Sequence, residues 1–265
     1  MSKIREAIRN IYYLDEQSAD ADWLGHIHPA VKLLISFFYI VTVISFSKYN
    51  LEGLFGMAVY PIILMITADI PVLESLKRLR LILLLVCVVG ISNPFLERRT
   101  MLYLGSFPVS AGMISMVTLM MKGSFAVFAS YILVISTSMD DLCSGMRKLH
   151  VPKTFVTILS LIYRYIIVML QEAECIIQAY ELRAPKQRGI HYKAWGTLLG
   201  QLLLRSVDRA EDVYQSMMLR GFHGEFYGHM QKLDGKSLCY LMVWSAYLLL
   251  FRFIPVFSVI GTIFI

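Results

Sequence analysis

Charge is scarce in this sequence. Of its 265 residues only 17% are Asp, Glu, Lys or Arg, against 57% hydrophobic, and the mean hydropathy is +0.61. That balance excludes an ordinary soluble domain and points to an integral membrane protein. No Gly-x-x-x-x-Gly-Lys-Ser/Thr sequence is present, so a Walker A phosphate cradle is missing and the chain should not hydrolyse ATP by itself. The four cysteines, Cys87, Cys143, Cys175 and Cys239, stand singly. Their spacing argues against a disulfide framework or a thiolate zinc site and leaves them as small apolar filler. There is no low-complexity linker. The first 29 residues mix acids and bases before the first apolar run, unlike a cleaved signal peptide, and read as a cytoplasmic or interfacial segment. The formal charge of +6 bears on membrane orientation, and no nucleic-acid partner is expected.

What the chain does have is apolar runs, over Ala30 to Phe46, Gly53 to Ala68, Leu81 to Leu96, Ala111 to Met139 and Ser237 to Ile265. Spanning takes roughly 17 to 25 residues, so these read as five transmembrane helices, the first three marginally short. The fold class expected is an all-α integral membrane protein, with transmembrane helices over residues 30–139 and 236–265. Residues 140–235 differ: they hold close to half of the Lys and Arg, and their apolar residues recur at helical spacing. This region should be cytoplasmic, with "MDDLCSGMRKLHVP" as a short helix followed by two long amphipathic ones. The first runs from about Lys153 to Arg183 and the second from about Trp195 to Arg220, closed by Gly221. "LKRLR" should also face the cytoplasm, and the region around Arg98 and Arg99 outward. Five spans then leave the N-terminus inside and the C-terminus outside.

Several constellations invite chemistry. His26 with His28, and His223, Glu225 and His229, offer metal-ligating atoms without a fixed four-ligand set, so no metal or cofactor is expected. Asp140 and Asp141 suit a helix N-terminus. "RSVDRAED" spaces Arg205, Asp208, Arg209, Glu211 and Asp212 for intrahelical ion pairs on a solvated face. The two long helices share an ending: Leu182, Arg183 and Ala184 close the first, and Leu219, Arg220 and Gly221 the second. A base in the last turn complements the helix dipole by about 0.3 to 1 kcal/mol. An arginine between an apolar face and a residue of minimal bulk can also grip carboxylate or carbonyl groups on a partner.

The motifs "HPAVKLL", "LHVPKTF", "YRYIIVMLQEAE" and "LLLRSVDRAEDVYQSMMLRGFHGE" give nearly the whole chain a resemblance to the transmembrane, or T, component of energy-coupling factor transporters, ABC importers that include cobalt-type permease subunits. The resemblance implies a non-enzymatic subunit. In that family, Ala-Arg-Gly-like signatures end two crossed cytoplasmic coupling helices, each touching one of two ATP-binding cassette ATPase subunits. It carries that role to Leu182, Arg183, Ala184, Leu219, Arg220 and Gly221. It also implies a substrate-binding membrane S component held on the amphipathic surface, with cobalt, nickel or a vitamin as cargo. Both copies depart from the signature by Leu before Arg, and the first by Ala184 for Gly; Arg188 with Gly189 is a second candidate for the first copy. Two other classes compete: a self-contained secondary transporter with Lys122 and Arg252 along its path, and an intramembrane enzyme, for which no convergent catalytic set is found.

Overall fold

The computed structural model describes residues 5–6, 8–9, 11–12, 22–25, 27–48, 51–68, 70–96, 100–104, 107–184, 189–224 and 234–253. The chain divides into two compact units, one of Met1–Glu16 with Met139–Met230 and one of Gln17–Ser138 with Gln231–Ile265.

The second unit contains α1 (Pro29–Ser45), α2 (Leu51–Met57), α3 (Val59–Thr67), α4 (Val72–Ile91) and α5 (Ala111–Ile135). Its last helix, Gly235–Phe253, is named α9 by its place in the chain. α1 starts where Pro29 pre-sets the backbone and the His28 Nδ1 accepts from the Ala30 N–H at 3.1 Å. Val31, Ile35, Tyr39 and Val43 are buried along one side, while Phe37, Phe38, Val41 and Ile44 stay exposed on the other. A helix apolar on all sides needs an apolar surround as well as a packed face. α5 is the centre of this unit and packs on α1, α2, α3 and α4. Its approach to α4 depends on small residues: a Cβ on Gly123 would lie 2.5 Å from Val86 Cγ1, and one on Gly90 would lie 2.8 Å from Met120 Cγ.

The structure corrects several expectations here. The second apolar run is two helices, broken at Ala58, because Pro61 has no N–H to give the Met57 carbonyl; that carbonyl accepts the Tyr39 hydroxyl at 2.8 Å. α4 begins at Val72, so Lys77, Arg78 and Arg80 lie within a helix and not in a flank. Among the described residues, regular structure is helical apart from a short antiparallel pair, Thr100–Leu104 with Phe107–Ser110, where the all-α reading expected no strand. Strand-forming residues around Gly105-Ser106 explain it. Residues 254–265, the end of the expected last span, lie outside the described residues. Among the described helices, α5 and Lys153–Arg183 are long and apolar enough to cross a membrane by length and composition. The latter is one that the sequence places in the cytoplasmic region.

The first unit holds α6 (Met139–Lys148), α7 (Lys153–Arg183) and α8 (Tyr192–Leu219). α6 carries Asp140 and Asp141 in its first turn and Arg147 and Lys148 in its last, which suits its dipole at both ends. It stops at His150, whose φ of 63° is left-handed, and Val151 donates back to the Met146 carbonyl at 3.2 Å. α7 then starts after Pro152 and packs on α6 and α8. Arg5 joins this unit through a 2.6 Å ion pair with Glu174.

Candidate coupling site

The two arginine-ended helices finish differently. At α8, Gly221 adopts φ 76°, its N–H donates to the Met218 carbonyl at 3.0 Å, and Phe222 N–H donates to the Met217 carbonyl at 3.0 Å. This paired return is a Schellman ending, in which the left-handed position strongly favours glycine. Arg220 is the C-cap. At α7, Arg183 is the last helical residue and Ala184 the C-cap, with φ −128°. A side chain is tolerated at that φ, so alanine can stand there. Gly189, five residues after that C-cap, has φ 83°; Arg188 lies outside the described residues. Beside the arginines, Leu182 is 82% exposed and Leu219 is 90% exposed. Each helix thus ends on a nearly bare leucine beside its arginine.

Sequence patterns do not show where the two helices meet. Arg205 of α8 reaches Glu172 of α7 in an ion pair, rather than serving only its own helix. Both partners are partly exposed, so the pair is worth at most about 1 kcal/mol and matters for register more than for strength. On one side of it, the first half of α7 and the last turns of α8 enclose a cleft of about 630 Å³, lined by Arg164, Arg209, Asp212, Arg220 and His223 among others. On the other side, the last turns of α7 and the first half of α8 enclose one of about 360 Å³, lined by Tyr180, Arg183, Thr197, Gln201 and Arg205 among others.

The two clefts repeat one geometry. Leu161, Arg164 and Tyr165 precede Glu172 by the same steps as Ala194, Thr197 and Leu198 precede Arg205. Ile176, Ala179, Tyr180 and Arg183 follow Glu172 as Arg209, Asp212, Val213 and Ser216 follow Arg205. Each helix therefore brings its arginine end over the first half of the other. By this count Arg183 corresponds to Ser216, and Arg220 lies one turn further out, so the two arginines are not equivalent in setting. Arg164 and the Glu172–Arg205 pair are not apparent from the sequence motifs. A charge inside an otherwise apolar helical run, as in "YRYIIV", was the available signal for the first; the second depends on tertiary packing.

The remaining candidates separate from this site. Lys122 donates to the Ile44 carbonyl at 3.2 Å and to the Phe46 carbonyl. Arg252 donates to the Ser45 carbonyl at 3.4 Å and to its Oγ at 3.1 Å, with its guanidinium over the Phe46 ring. These two bases cap the end of α1, a role that needs no transported ligand. His28 is buried, and its N–H donates to Ser237 Oγ at 2.9 Å. Among the described residues no three His, Cys, Asp or Glu side chains converge; His26, Glu225 and His229 lie outside them. Cys143 is buried as filler, whereas Cys87, Cys175 and Cys239 are exposed.

Comparison with known proteins places the chain. It is 26% identical to an energy-coupling factor transporter transmembrane protein, EcfT, of Listeria innocua, over 76% of this chain and 81% of that protein. It is 30% identical to the nickel permease LarQ of Lactiplantibacillus plantarum over 35% of this chain and 34% of that one. It is also 26% identical to an uncharacterized protein of Methanocaldococcus jannaschii over 49% of this chain, and spans just 46% of that relative's length. Residues 20–232 match the cobalt transport protein family, CbiQ. With that much of the chain matched, the protein belongs to the CbiQ cobalt transport protein family, a family of membrane transport components and not of enzymes.

Proposed function

We propose that this chain is the T component of an energy-coupling factor importer. Five spans, built from α1, the α2–α3 pair, α4, α5 and α9, hold it in the cell membrane, with residues 140–235 and the N-terminus on the cytoplasmic side and the C-terminus outside. Two ATP-binding cassette subunits dock at the tips, one on Leu182, Arg183 and Ala184 and the other on Leu219, Arg220 and Gly221. The observation that carries this reading is the repeated geometry of the two clefts. A pair of like partners presents two similar surfaces, and the crossed helices offer two clefts of matching spacing about the Glu172–Arg205 pair, with the arginine one turn further out in the second. Each helix end pairs a guanidinium, suited to bidentate grip, with a bare leucine.

Closure of the ATPases around ATP then moves the arginine tips, and the stiff helices pass that motion to a membrane S component. The exposed stripe Phe155, Ile158, Ile162 and Ile166 of α7, and the stripe Trp195, Leu199, Leu203 and Val207 of α8, are the apolar faces on which it is held. Cobalt or nickel is the cargo that relatives' names favour, and the S component selects it. The test is co-purification of the two ATPases with Arg220→Glu and Arg183→Glu variants. Loss of the ATPases, or ATP hydrolysis uncoupled from uptake, is expected; normal assembly with normal uptake in both would sink the reading.

A further inference from the structure

One groove in the second unit plays no part in this coupling scheme. It lies between α3 and α9, measures about 530 Å³, and runs from Lys236 past Tyr240 and Trp244 to Tyr247, with Ile63 and Thr67 on the facing wall. Its three hydroxyls, on Thr67, Tyr240 and Tyr247, are engaged elsewhere. The Thr67 hydroxyl donates to its own helix at the Ile63 carbonyl, 3.0 Å away. The Tyr247 hydroxyl donates to the Gly56 carbonyl at 2.6 Å, and Tyr240 is hydrogen-bonded to Tyr60. What remains is a hydrocarbon-lined trough with one charged lining residue among those described, Lys236, at one end.

From this we infer that the groove holds one acyl chain of an anionic phospholipid, with its phosphate on Lys236. The inference rests on the reading that α9 spans the bilayer. Length supports it: the eleven helical steps from Lys236 to Tyr247 cover about 16 Å, close to half of a hydrocarbon core of roughly 30 Å, which is the depth of one leaflet. The inner end is closed. Tyr247 is bonded to Gly56, and Phe251 packs so tightly there that a Cβ on Gly56 would lie 2.2 Å from its ring. A partner's transmembrane helix would need a groove continuing past that point, whereas a lipid tail ends at mid-membrane. Charge favours an acidic headgroup, since an exposed Lys near the start of a span attracts anionic lipid.

The experiment uses the full chain in phosphatidylcholine nanodiscs, with Trp23→Phe and Trp195→Phe leaving Trp244 as the fluorophore. Brominated phosphatidylglycerol should half-quench Trp244 at a mole fraction about fivefold below brominated phosphatidylcholine, the size expected of one basic residue at the surface. Lys236→Gln should remove that preference and Lys236→Arg should keep it. Equal quenching by the two lipids, a preference that survives Lys236→Gln, or no quenching by either overturns the inference. Should the tryptophan variants fold poorly, native mass spectrometry of the wild-type chain offered both lipids in equal amounts reads the same point. One retained phosphatidylglycerol is expected, and indifferent retention refutes the site. Neither measurement needs the ATPases, so failure here is distinct from failure of the coupling reading.

Discussion

Gly221 and Ala184 sit at matching places in two similar tripeptides, but the backbone asks different things of them. A left-handed residue with a Cβ costs roughly 1 to 2 kcal/mol. Gly221→Ala should therefore loosen the end of α8 by about that amount, whereas Ala184→Gly should cost only tenths, which thermal unfolding in detergent can compare. For Arg220, reversal to Glu should weaken ATPase association by at least about 2 kcal/mol, or roughly 30-fold, if the tip is a docking hot spot. Titration of purified ATPase onto nanodiscs reads this. Cys143 gives a pH-dependent counterpart. Burial, then the nearby Asp140 carboxylate, pushes its thiol up from the usual range, against a smaller opposing pull from Arg147. A folded-state pKa above the unfolded one means that its contribution to stability is present below the unfolded thiol value, about 8.5, and is lost as pH rises through the folded one. Alkylation at pH 8 should accordingly reach exposed Cys175 well before Cys143, as peptide mapping would show.

At the scale of elements, helix ends were easier to read from the sequence than the contacts between helices. His28-Pro29, Pro152 and Gly221 each act through the backbone at their own position, and the observed helices begin or end beside them. The break at Ala58 was hidden because Pro61 lies inside a continuous apolar run, and its consequence depends on Tyr39 coming from another helix. The Glu172–Arg205 crossing was hidden for a similar reason: "RSVDRAED" offers partners within its own helix, and only packing selects one 33 residues away. If that pair sets the crossing, Arg205→Glu should impair coupled ATP hydrolysis while changing stability by no more than about 1 kcal/mol. Adding Glu172→Arg should restore it. The α4–α5 contact is less forgiving. Gly123→Ala should destabilise by about 1 to 3 kcal/mol through overpacking, and Val86→Ala in the same chain should recover most of the loss.

For the whole molecule, composition alone was enough to assign the membrane class, since 17% charge over 265 residues leaves too little polar surface for a soluble domain of this size. The candidate site was legible as two arginine endings, but the clefts around them were not, because they arise from two helices crossing and neither helix encodes them alone. Liposomes containing only this chain should take up no cobalt or nickel, and adding the ATPases and an S component should start uptake. Uptake by the chain alone would favour a self-contained transporter.

The crossing also fixes a mechanical ratio. With Glu172 and Arg205 as pivot, the arm ending at Arg183 measures about 16 Å and the arm ending at Arg220 about 22 Å, at 1.5 Å per residue. Two shafts turning through one angle about a shared pin sweep unequal arcs at their tips. If the proposed ATPases push both tips, the longer arm trades force for travel, so an identical push delivers unequal torque at the two ends.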